Sequence, residues 1–140
     1  MALWTPKIWT GLAALNGLCA VAMGAFATHG MTSPKLAGWL HTGSTYQMYH
    51  AIAVIAALGL SRSGLRRMGL VAALFLAGTL FFSGSLYAMA FGGPRILGAV
   101  APVGGAAFML GWLVMAWQAF TSRPAAVGAR PEPSDRQEQR

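Results

Sequence analysis

His50 is the side chain of this sequence best placed to do chemistry. It follows Tyr46 and Gln47, and on an ideal helix these three residues lie within about 60° of Gly43, on one face. An imidazole changes its charge near neutral pH, and it can carry a proton, bind a ligand or exchange hydrogen bonds with other side chains. Tyr46, Gln47 and His50 therefore form a candidate polar pocket.

The rest of the sequence gives this pocket little support for catalysis. The first 131 residues contain no carboxylate, because Glu132, Asp135 and Glu138 all lie in the last nine. Without an embedded carboxylate to orient a histidine, a catalytic triad is not expected. Ser83-Gly84-Ser85 only superficially resembles a nucleophile elbow, since the strand-to-helix context of that motif is absent. We expect no catalytic residue and no enzymatic activity.

Metal and cofactor sites are disfavoured for a similar reason. A zinc site needs three or four converging His, Cys or carboxylate ligands. His29 and His41 are expected near the outer surface, whereas His50 is deep and the single cysteine, Cys19, stands alone. A haem would need a second histidine at the depth of His50 on another helix, and the third and fourth apolar segments have none. We expect no metal and no cofactor.

Four long uncharged segments must position these side chains. Lys and Arg residues border stretches of 26 or 27 uncharged residues, at 8–34, 36–61, 68–94 and 96–122. A helix needs about 20 apolar residues to cross the hydrocarbon core. Charged residues make up 9% of the chain, against ~25% in an ordinary soluble domain. The sequence predicts an all-α polytopic membrane protein, a four-transmembrane-helix bundle.

The predicted spans cover residues 8–27, 36–60, 68–91 and 100–120, within one transmembrane domain of residues 1–120. Residues 121–140 are rich in Pro, Arg, Glu and Gln, which predicts a disordered cytoplasmic tail. Lys7 and Ala25-Phe26-Ala27 together mimic a signal peptide. The apolar run of about 20 residues exceeds the usual signal length, so we expect the first span to be retained.

The second span has an unusual first half. Ser33-Pro34 is a helix start, but the residues from His41 to His50 are markedly polar and cannot face lipid tails. Two arrangements stay open: one long tilted helix with a bend, or a short interfacial helix that breaks near Gly43. The helix before it should end at His29, with Gly30 as a left-handed cap.

In this arrangement His50 lies well inside the bilayer, where an ionisable group is by default a functional-site hypothesis. The alternative is a neutral histidine that joins helices by hydrogen bonds to Ser83, Ser85, Tyr87 or Asn16. The sequence leaves both open. The candidate residues for a polar pocket or for interhelical hydrogen bonds are Asn16, His29, Tyr46, Gln47, His50, Ser83, Ser85 and Tyr87.

Small residues recur on single helical faces, where they let helix backbones approach closely in lipid. The first span places Ala13, Asn16, Ala20 and two glycines on one narrow face, so Asn16 should bond across to another helix. The glycines expected at helix contacts are Gly17, Gly24, Gly84, Gly104 and Gly105.

The net charge of +7 does not indicate nucleic-acid binding, because the basic residues are spread through loops and a tail. They fit the positive-inside rule, which predicts that both termini are cytoplasmic. Only Lys35 and Arg95 fall on the outer side. The inner side carries Lys7, Arg62, Arg66, Arg67, Arg123, Arg130, Arg136 and Arg140.

Four segments of the chain resemble a known family. They are Gly24-Ala25-Phe26 with His29-Gly30; residues 46–51; residues 82–87; and Gly98 with Pro102, Gly104, Gly105, Gly111 and Trp112. On these segments the chain resembles the small inner-membrane family catalogued as DUF 423, typified by YgdD and the transmembrane-protein-256-like proteins. The resemblance covers roughly residues 8–120. It implies a four-helix integral protein of the bacterial inner membrane, and no reaction.

The preferred function is a non-enzymatic structural or accessory membrane component. Its partners would be the lipid bilayer and either a second copy or another membrane protein, with no nucleic acid. The alternative is a small transporter or channel subunit with a polar pocket around Tyr46, Gln47 and His50. Cation export is disfavoured because it usually relies on an embedded carboxylate. A membrane enzyme ranks last.

Overall fold

The computed structural model describes residues 5–122, and within this range the chain is helical. The helices are α1 (Pro6–His29), α2 (Pro34–Arg62), α3 (Met68–Ala90) and α4 (Ala101–Thr121), with a short 3-10 helix (Arg95–Ala99) before α4. The all-α prediction is confirmed for this part of the chain. Residues 123–140, which hold most of the predicted tail, lie outside the described residues.

Prolines begin three of the four helices. Pro6, Pro34 and Pro102 each lie in the first turn, where a missing backbone N–H costs no hydrogen bond. Ser33 precedes Pro34 in an extended conformation, with φ −85° and ψ 117°, so α2 begins at the predicted residue. The Ser33 side chain, however, makes no capping hydrogen bond.

The predicted left-handed cap at Gly30 is wrong. α1 ends at His29, but Gly30 has φ −104° and ψ −15°, close to right-handed geometry, and its N–H donates to the Phe26 carbonyl at 2.8 Å. A glycine is favoured there for another reason. A Cβ at Gly30 would lie 2.5 Å from Cε2 of the Phe26 ring, so the ring occupies the space that a side chain would need.

α2 and α3 form the centre of the bundle. α2 packs against α1 and α3, and α3 also packs against α4. Asn16 of α1 bonds to Thr79 on one side of the α2–α3 pair, whereas Trp112 of α4 bonds to His50 on the other side. The two outer helices therefore lie on opposite sides of the central pair.

α2 runs through Gly43 without interruption, so the arrangement broken near Gly43 is wrong. Gly43 is buried, and a Cβ there would lie 2.6 Å from Cε1 of the Tyr87 ring. The glycine thus serves the close approach of α3 rather than a helix break. Continuity of α2 keeps Gln47 and His50 at fixed positions relative to each other.

Three segments of the described chain are long and apolar enough to cross a membrane: Pro6–His29, Met68–Ala90 and Arg95–Thr121. α2, the site of the other predicted span, is not among them. Its polar residues lower its hydropathy, but Ser44, Gln47 and His50 are buried against other helices. The core therefore has two apolar clusters, one around Phe75 and one around Leu40, with a polar layer between them.

Candidate functional site

The polar layer contains a hydrogen-bonded chain that joins three helices. The Tyr87 hydroxyl of α3 donates to Gln47 Oε1 at 2.6 Å, and Gln47 Nε2 of α2 donates to Asn16 Oδ1 at 2.7 Å. Asn16 Nδ2 of α1 donates in turn to Thr79 Oγ1 at 3.3 Å, which returns the chain to α3. We call Asn16, Gln47, Thr79 and Tyr87 the amide network.

Helix periodicity explains why these residues meet. Gly43 and Gln47 lie one turn apart on α2. Because Gly43 has no side chain, the Tyr87 ring packs against it, and the Tyr87 hydroxyl lies close enough to bond to Gln47. Thr79 also donates to the Leu76 carbonyl at 2.8 Å, which fixes its hydroxyl as an acceptor for Asn16. The network is thus positioned by close contact of α2 with α3.

Ser83 forms a separate bond between the two central helices. Its buried hydroxyl donates to the Gly43 carbonyl at 2.7 Å. Ser85 instead donates to the Phe82 carbonyl of its own helix at 2.9 Å. Of the two serines predicted to join helices, Ser83 makes such a bond and Ser85 does not, because the two residues lie on different sides of α3.

His50 lies in an aromatic cluster on the other side of α2. Trp112 Nε1 donates to His50 Nε2 at 3.3 Å, and His50 Nδ1 lies 2.8 Å from the Tyr46 carbonyl. An indole nitrogen can only donate, so Nε2 must accept and the ring proton sits on Nδ1, which donates to Tyr46. The Phe108 ring stacks on the imidazole with centroids 3.5 Å apart.

These contacts correct the predicted partners of His50. None of Ser83, Ser85, Tyr87 or Asn16 bonds to it; its side-chain partner is Trp112. α4 supplies that partner because it packs on the side of the α2–α3 pair away from α1. Both ring nitrogens of a neutral His50 are satisfied, which makes the histidine a structural link between α2 and α4.

The single pocket predicted around Tyr46, Gln47 and His50 is wrong as a unit. Gln47 faces α1 and α3, whereas Tyr46 and His50 face α3 and α4. Tyr46 is partly exposed and stacks near Phe82, with ring centroids 4.9 Å apart. All three residues lie on the same half of the α2 surface, but different parts of that half contact α1, α3 and α4.

The remaining histidines lie apart from the amide network and from the aromatic cluster around His50. His29 is exposed at the last residue of α1, and His41 is exposed with Nε2 3.5 Å from Thr28 Oγ1. Within residues 5–122, no three His, Cys, Asp or Glu side chains group in a way that could hold a metal ion. Cys19 is a partly buried free thiol beside the amide network.

The predicted packing glycines divide into contacts and open positions. A Cβ at Gly104 would collide with the Phe82 amide nitrogen and lie 2.7 Å from the Gly78 carbonyl oxygen, so α3 and α4 meet there backbone to backbone. A Cβ at Gly24 would lie 3.4 Å from Ser44 Oγ, and a Cβ at Gly17 would lie 3.9 Å from Ala51 Cβ.

Gly84 and Gly105 were wrongly predicted as contacts, since a Cβ at either would meet nothing within 4 Å. Three further glycines, Gly43, Gly78 and Gly111, were not predicted as contacts, and each lies against an aromatic ring of another helix. Gly78 and Gly84 lie on different faces of α3, and the sequence does not say which face α4 covers.

Two surface grooves lie beside these open glycines. The α1–α3 groove, of about 400 Å³, is lined by the amide network, Gly84 and apolar side chains that include Leu12, Leu15 and Leu80. The α2–α4 groove, of about 470 Å³, is lined by Tyr46, His50, Phe82, Gly105, Phe108 and Trp112. Both open sideways on the bundle.

Trp112 belongs to the aromatic cluster around His50, and its role there was not predicted from the sequence. Tryptophans are enriched at the ends of membrane spans, where the indole N–H meets water. Trp112 lies in the middle of α4, so its N–H needs an acceptor from another helix. That need was the signal that could have paired Trp112 with His50.

Comparison with known proteins decides the family. A family model described as "Protein of unknown function (DUF423)" matches residues 23–105. The chain belongs to the DUF423 family. The matched range includes the amide-network residues Gln47, Thr79 and Tyr87, together with His50. The resemblance noted in the sequence is therefore confirmed.

Curated relatives of this DUF423 protein are named as membrane proteins. A UPF0382 membrane protein of Haemophilus influenzae is 42% identical over 116 residues, covering 80% of this chain and 93% of the relative. YwdK of Bacillus subtilis, a UPF0382 membrane protein, is 40% identical, with 78% and 93% covered. The UPF0382 inner membrane protein YgdD of Escherichia coli K12 is 41% identical, with 79% and 88% covered. No solved structure matches the chain.

These comparisons agree with the three helical segments that are apolar enough to span a membrane. The DUF423 protein is an integral membrane protein, and its family has no established biochemical role.

Proposed function

We propose that this DUF423 protein is a non-enzymatic accessory component of the bacterial inner membrane, with four membrane-spanning helices. It acts by binding another membrane-embedded helix along the groove between α1 and α2. The observation that carries the proposal is a row of hydrogen-bonding side chains on α2, in which Thr45 and Tyr49 are exposed at a depth where lipid offers no partner.

The packing of α2 supports a fourth span. α2 lies between α1 and α3, and both of those helices are apolar enough to cross the bilayer. Gln47 and His50 lower the hydropathy of α2, but both side chains form hydrogen bonds to neighbouring helices. With 29 residues, α2 is about 43 Å long, more than the hydrocarbon core needs.

The charges support an inward orientation of both termini. Lys7 lies at the start of α1, Arg62 ends α2, and Arg66 and Arg67 lie between α2 and α3. Antiparallel helices place these four charges at one end of the bundle, with Lys35 and Arg95 at the other. The richer end is cytoplasmic by the positive-inside rule. Reporter fusions after Gly93 and after Arg140 test this, and an external C-terminus would overturn it.

The exposed row consists of His41, Thr45 and Tyr49, spaced four residues apart on one face of α2. Tyr49 is 60% exposed, and it lies about 22 Å along the axis from Pro34, near the middle of the helix. Within residues 5–122, the Thr45 and Tyr49 hydroxyls have no hydrogen-bond partner. Unpaired hydroxyls in hydrocarbon are costly, so a partner helix stabilises them.

Small residues of α1 complete this surface. The α1–α2 groove, of about 560 Å³, is lined on the α1 side by Ala20, Gly24, Ala25 and Thr28 with Val21, and on the α2 side by the exposed row with Ser44 and Met48. A helix backbone can approach small residues closely, and hydroxyl and imidazole groups then bond across the contact. The chemistry of the groove therefore fits a helix better than a lipid chain.

The absence of an acid–base pair supports a non-enzymatic role. The first 131 residues carry no carboxylate, and His50 already exchanges hydrogen bonds with Trp112 and Tyr46. A histidine satisfied on both nitrogens is poorly placed to abstract a proton, because a general base needs a free nitrogen within reach of its substrate.

Photo-crosslinking in the native membrane tests the partner. A benzoylphenylalanine at Tyr49, which replaces one aromatic ring with another, should form an adduct with a membrane protein. The same probe at Leu110 is the matched control, since Leu110 is 52% exposed in the middle of α4, away from the groove. A protein adduct at Tyr49 alone supports the proposal, and its mass tells a second copy from a different protein. Adducts with lipid alone at Tyr49 would overturn it.

A small transporter or channel subunit is the second candidate, because a groove of about 470 Å³ reaches His50 and Tyr46. Transport requires water to enter this groove. Gly105→Cys, in a Cys19→Ser background, places a thiol there in open space. Labelling by a membrane-impermeant thiol reagent would favour transport, and protection from it would favour the accessory role.

A further inference from the structure

The α1–α3 groove combines apolar walls with a polar floor. Leu12 and Leu15 of α1 and Leu76 and Leu80 of α3 form the walls, and the amide network lies at the base. α1 and α3 join here through the bond from Asn16 to Thr79. Gly84 leaves space beside the network, because a Cβ at that position would meet nothing within 4 Å.

The amide network has more donors than it uses. Each primary amide carries two N–H donors. Asn16 donates one N–H to Thr79, and Gln47 donates one N–H to Asn16. Within residues 5–122, neither amide donates a second hydrogen bond. Two N–H groups at the groove thus remain available. Each amide oxygen already accepts a bond, Gln47 Oε1 from Tyr87 and Asn16 Oδ1 from Gln47, whereas one N–H of each amide has no acceptor among the described residues.

The depth of the groove restricts what can accept these donors. Asn16 lies about 15 Å along α1 from Pro6, close to the middle of a 24-residue helix. The groove opens sideways, and none of its lining residues is charged. Phospholipid esters are held at the headgroup level, far from the bilayer centre. A ligand at this depth must be uncharged, mainly hydrocarbon, and equipped with an acceptor oxygen.

We propose that the α1–α3 groove binds a lipid-soluble quinone. A ring carbonyl accepts hydrogen bonds from the free amide N–H groups of Asn16 and Gln47, the flat ring occupies the space over Gly84, and the hydrocarbon tail follows the leucine walls into the lipid. A cavity of about 400 Å³ is in the ordinary range for a small-molecule site. This site lies on the α3 side of α1, whereas the proposed partner surface lies on the α2 side.

Decylubiquinone is the probe, and decylbenzene, which has the same tail and no oxygen, is the control ligand. The purified protein in lipid nanodiscs is melted with each compound. Saturating decylubiquinone should raise the Tm of the wild type by roughly 5 °C, because a ligand bound only by the folded state stabilises it. Decylbenzene should raise it by far less.

Two glycine variants localise the effect. Gly84→Leu fills the α1–α3 groove and Gly105→Leu fills the α2–α4 groove, and both side chains enter open space. The quinone-dependent shift should vanish in Gly84→Leu and persist in Gly105→Leu. Leu15→Trp narrows the same groove from the α1 wall, at a residue 64% exposed, and gives a second measurement if Gly84→Leu folds poorly.

Three results would overturn the site: no shift in the wild type, an equal shift in Gly84→Leu and Leu15→Trp, or an equal shift with decylbenzene. An equal shift with decylbenzene would mean that the groove binds hydrocarbon without a hydrogen bond to the quinone carbonyl. None of these depends on the crosslinking of Tyr49, so the partner surface and the quinone site succeed or fail separately.

Discussion

Gln47 Oε1 accepts a hydrogen bond from the Tyr87 hydroxyl at 2.6 Å, and Gln47 Nε2 donates one to Asn16 Oδ1 at 2.7 Å. The amide oxygen and nitrogen of one side chain therefore hold two different helices. A glutamine with both ends engaged fixes the rotation of α2 relative to α1 and α3. The amide network is for this reason the place where polar substitutions test the fold most directly.

Tyr87→Phe should lower the free energy of unfolding by about 1–3 kcal/mol, because it leaves the buried Gln47 Oε1 without a donor. Tyr46→Phe is the matched control: its ring keeps the contact with Phe82, and its hydroxyl bonds to no described residue. Thermal denaturation in detergent measures both. Equal stability of the two variants would show that the bond contributes nothing.

Two adjacent glycines give a sharper packing test. Gly104→Ala should cost about 1–3 kcal/mol, because the new Cβ would collide with the Phe82 backbone and separate α3 from α4. Gly105→Ala points into open space and should be neutral or slightly stabilising. The comparison uses the same assay, and a larger loss at Gly105 would contradict the α3–α4 contact.

His50→Leu should cost about 1–3 kcal/mol, because the Trp112 N–H loses its acceptor. His50→Gln should cost less, since an amide oxygen can replace Nε2. The double variant His50→Leu with Trp112→Phe identifies the cause. Adding Trp112→Phe to His50→Leu should remove little further stability, whereas additive losses would mean that the two side chains do not interact.

Ser83→Ala should destabilise the bundle by about 1 kcal/mol, since it removes the bond to the Gly43 carbonyl of the neighbouring helix. Ser85→Ala removes a bond within α3 itself and should have a smaller effect. Chemical denaturation of the two variants side by side is the measurement. A greater loss from Ser85→Ala would refute the assignment of Ser83 as the interhelical bond.

The sequence predicted the bounds of the helices better than it predicted which helices contact each other. Charges and prolines marked the four helices closely, and Ser33-Pro34 gave the start of α2. Those signals are local: a proline fixes its own turn, and a charge fixes the end of its own segment. They carry no information on which side of α2 each of the other helices lies.

The candidate site shows the same limit. Gln47 and His50 were singled out by type and depth, but their partners Tyr87 and Trp112 lie 40 and 62 residues along the chain. Assigning such partners requires the rotation of each helix about its axis. That rotation depends on contacts such as Phe82 against Gly104, where the decisive property is an absent side chain rather than a chemical group.

The low hydropathy of α2 has a consequence for biogenesis. In the proposed four-pass arrangement, α2 leaves the ribosome after α1 and carries a glutamine and a histidine that resist insertion as a lone helix. Asn16 of α1 emerges first and offers Gln47 a hydrogen-bond partner while the two helices insert. α1 and α2 should therefore enter the bilayer as a hairpin, so the amide network guides insertion before it holds the finished bundle.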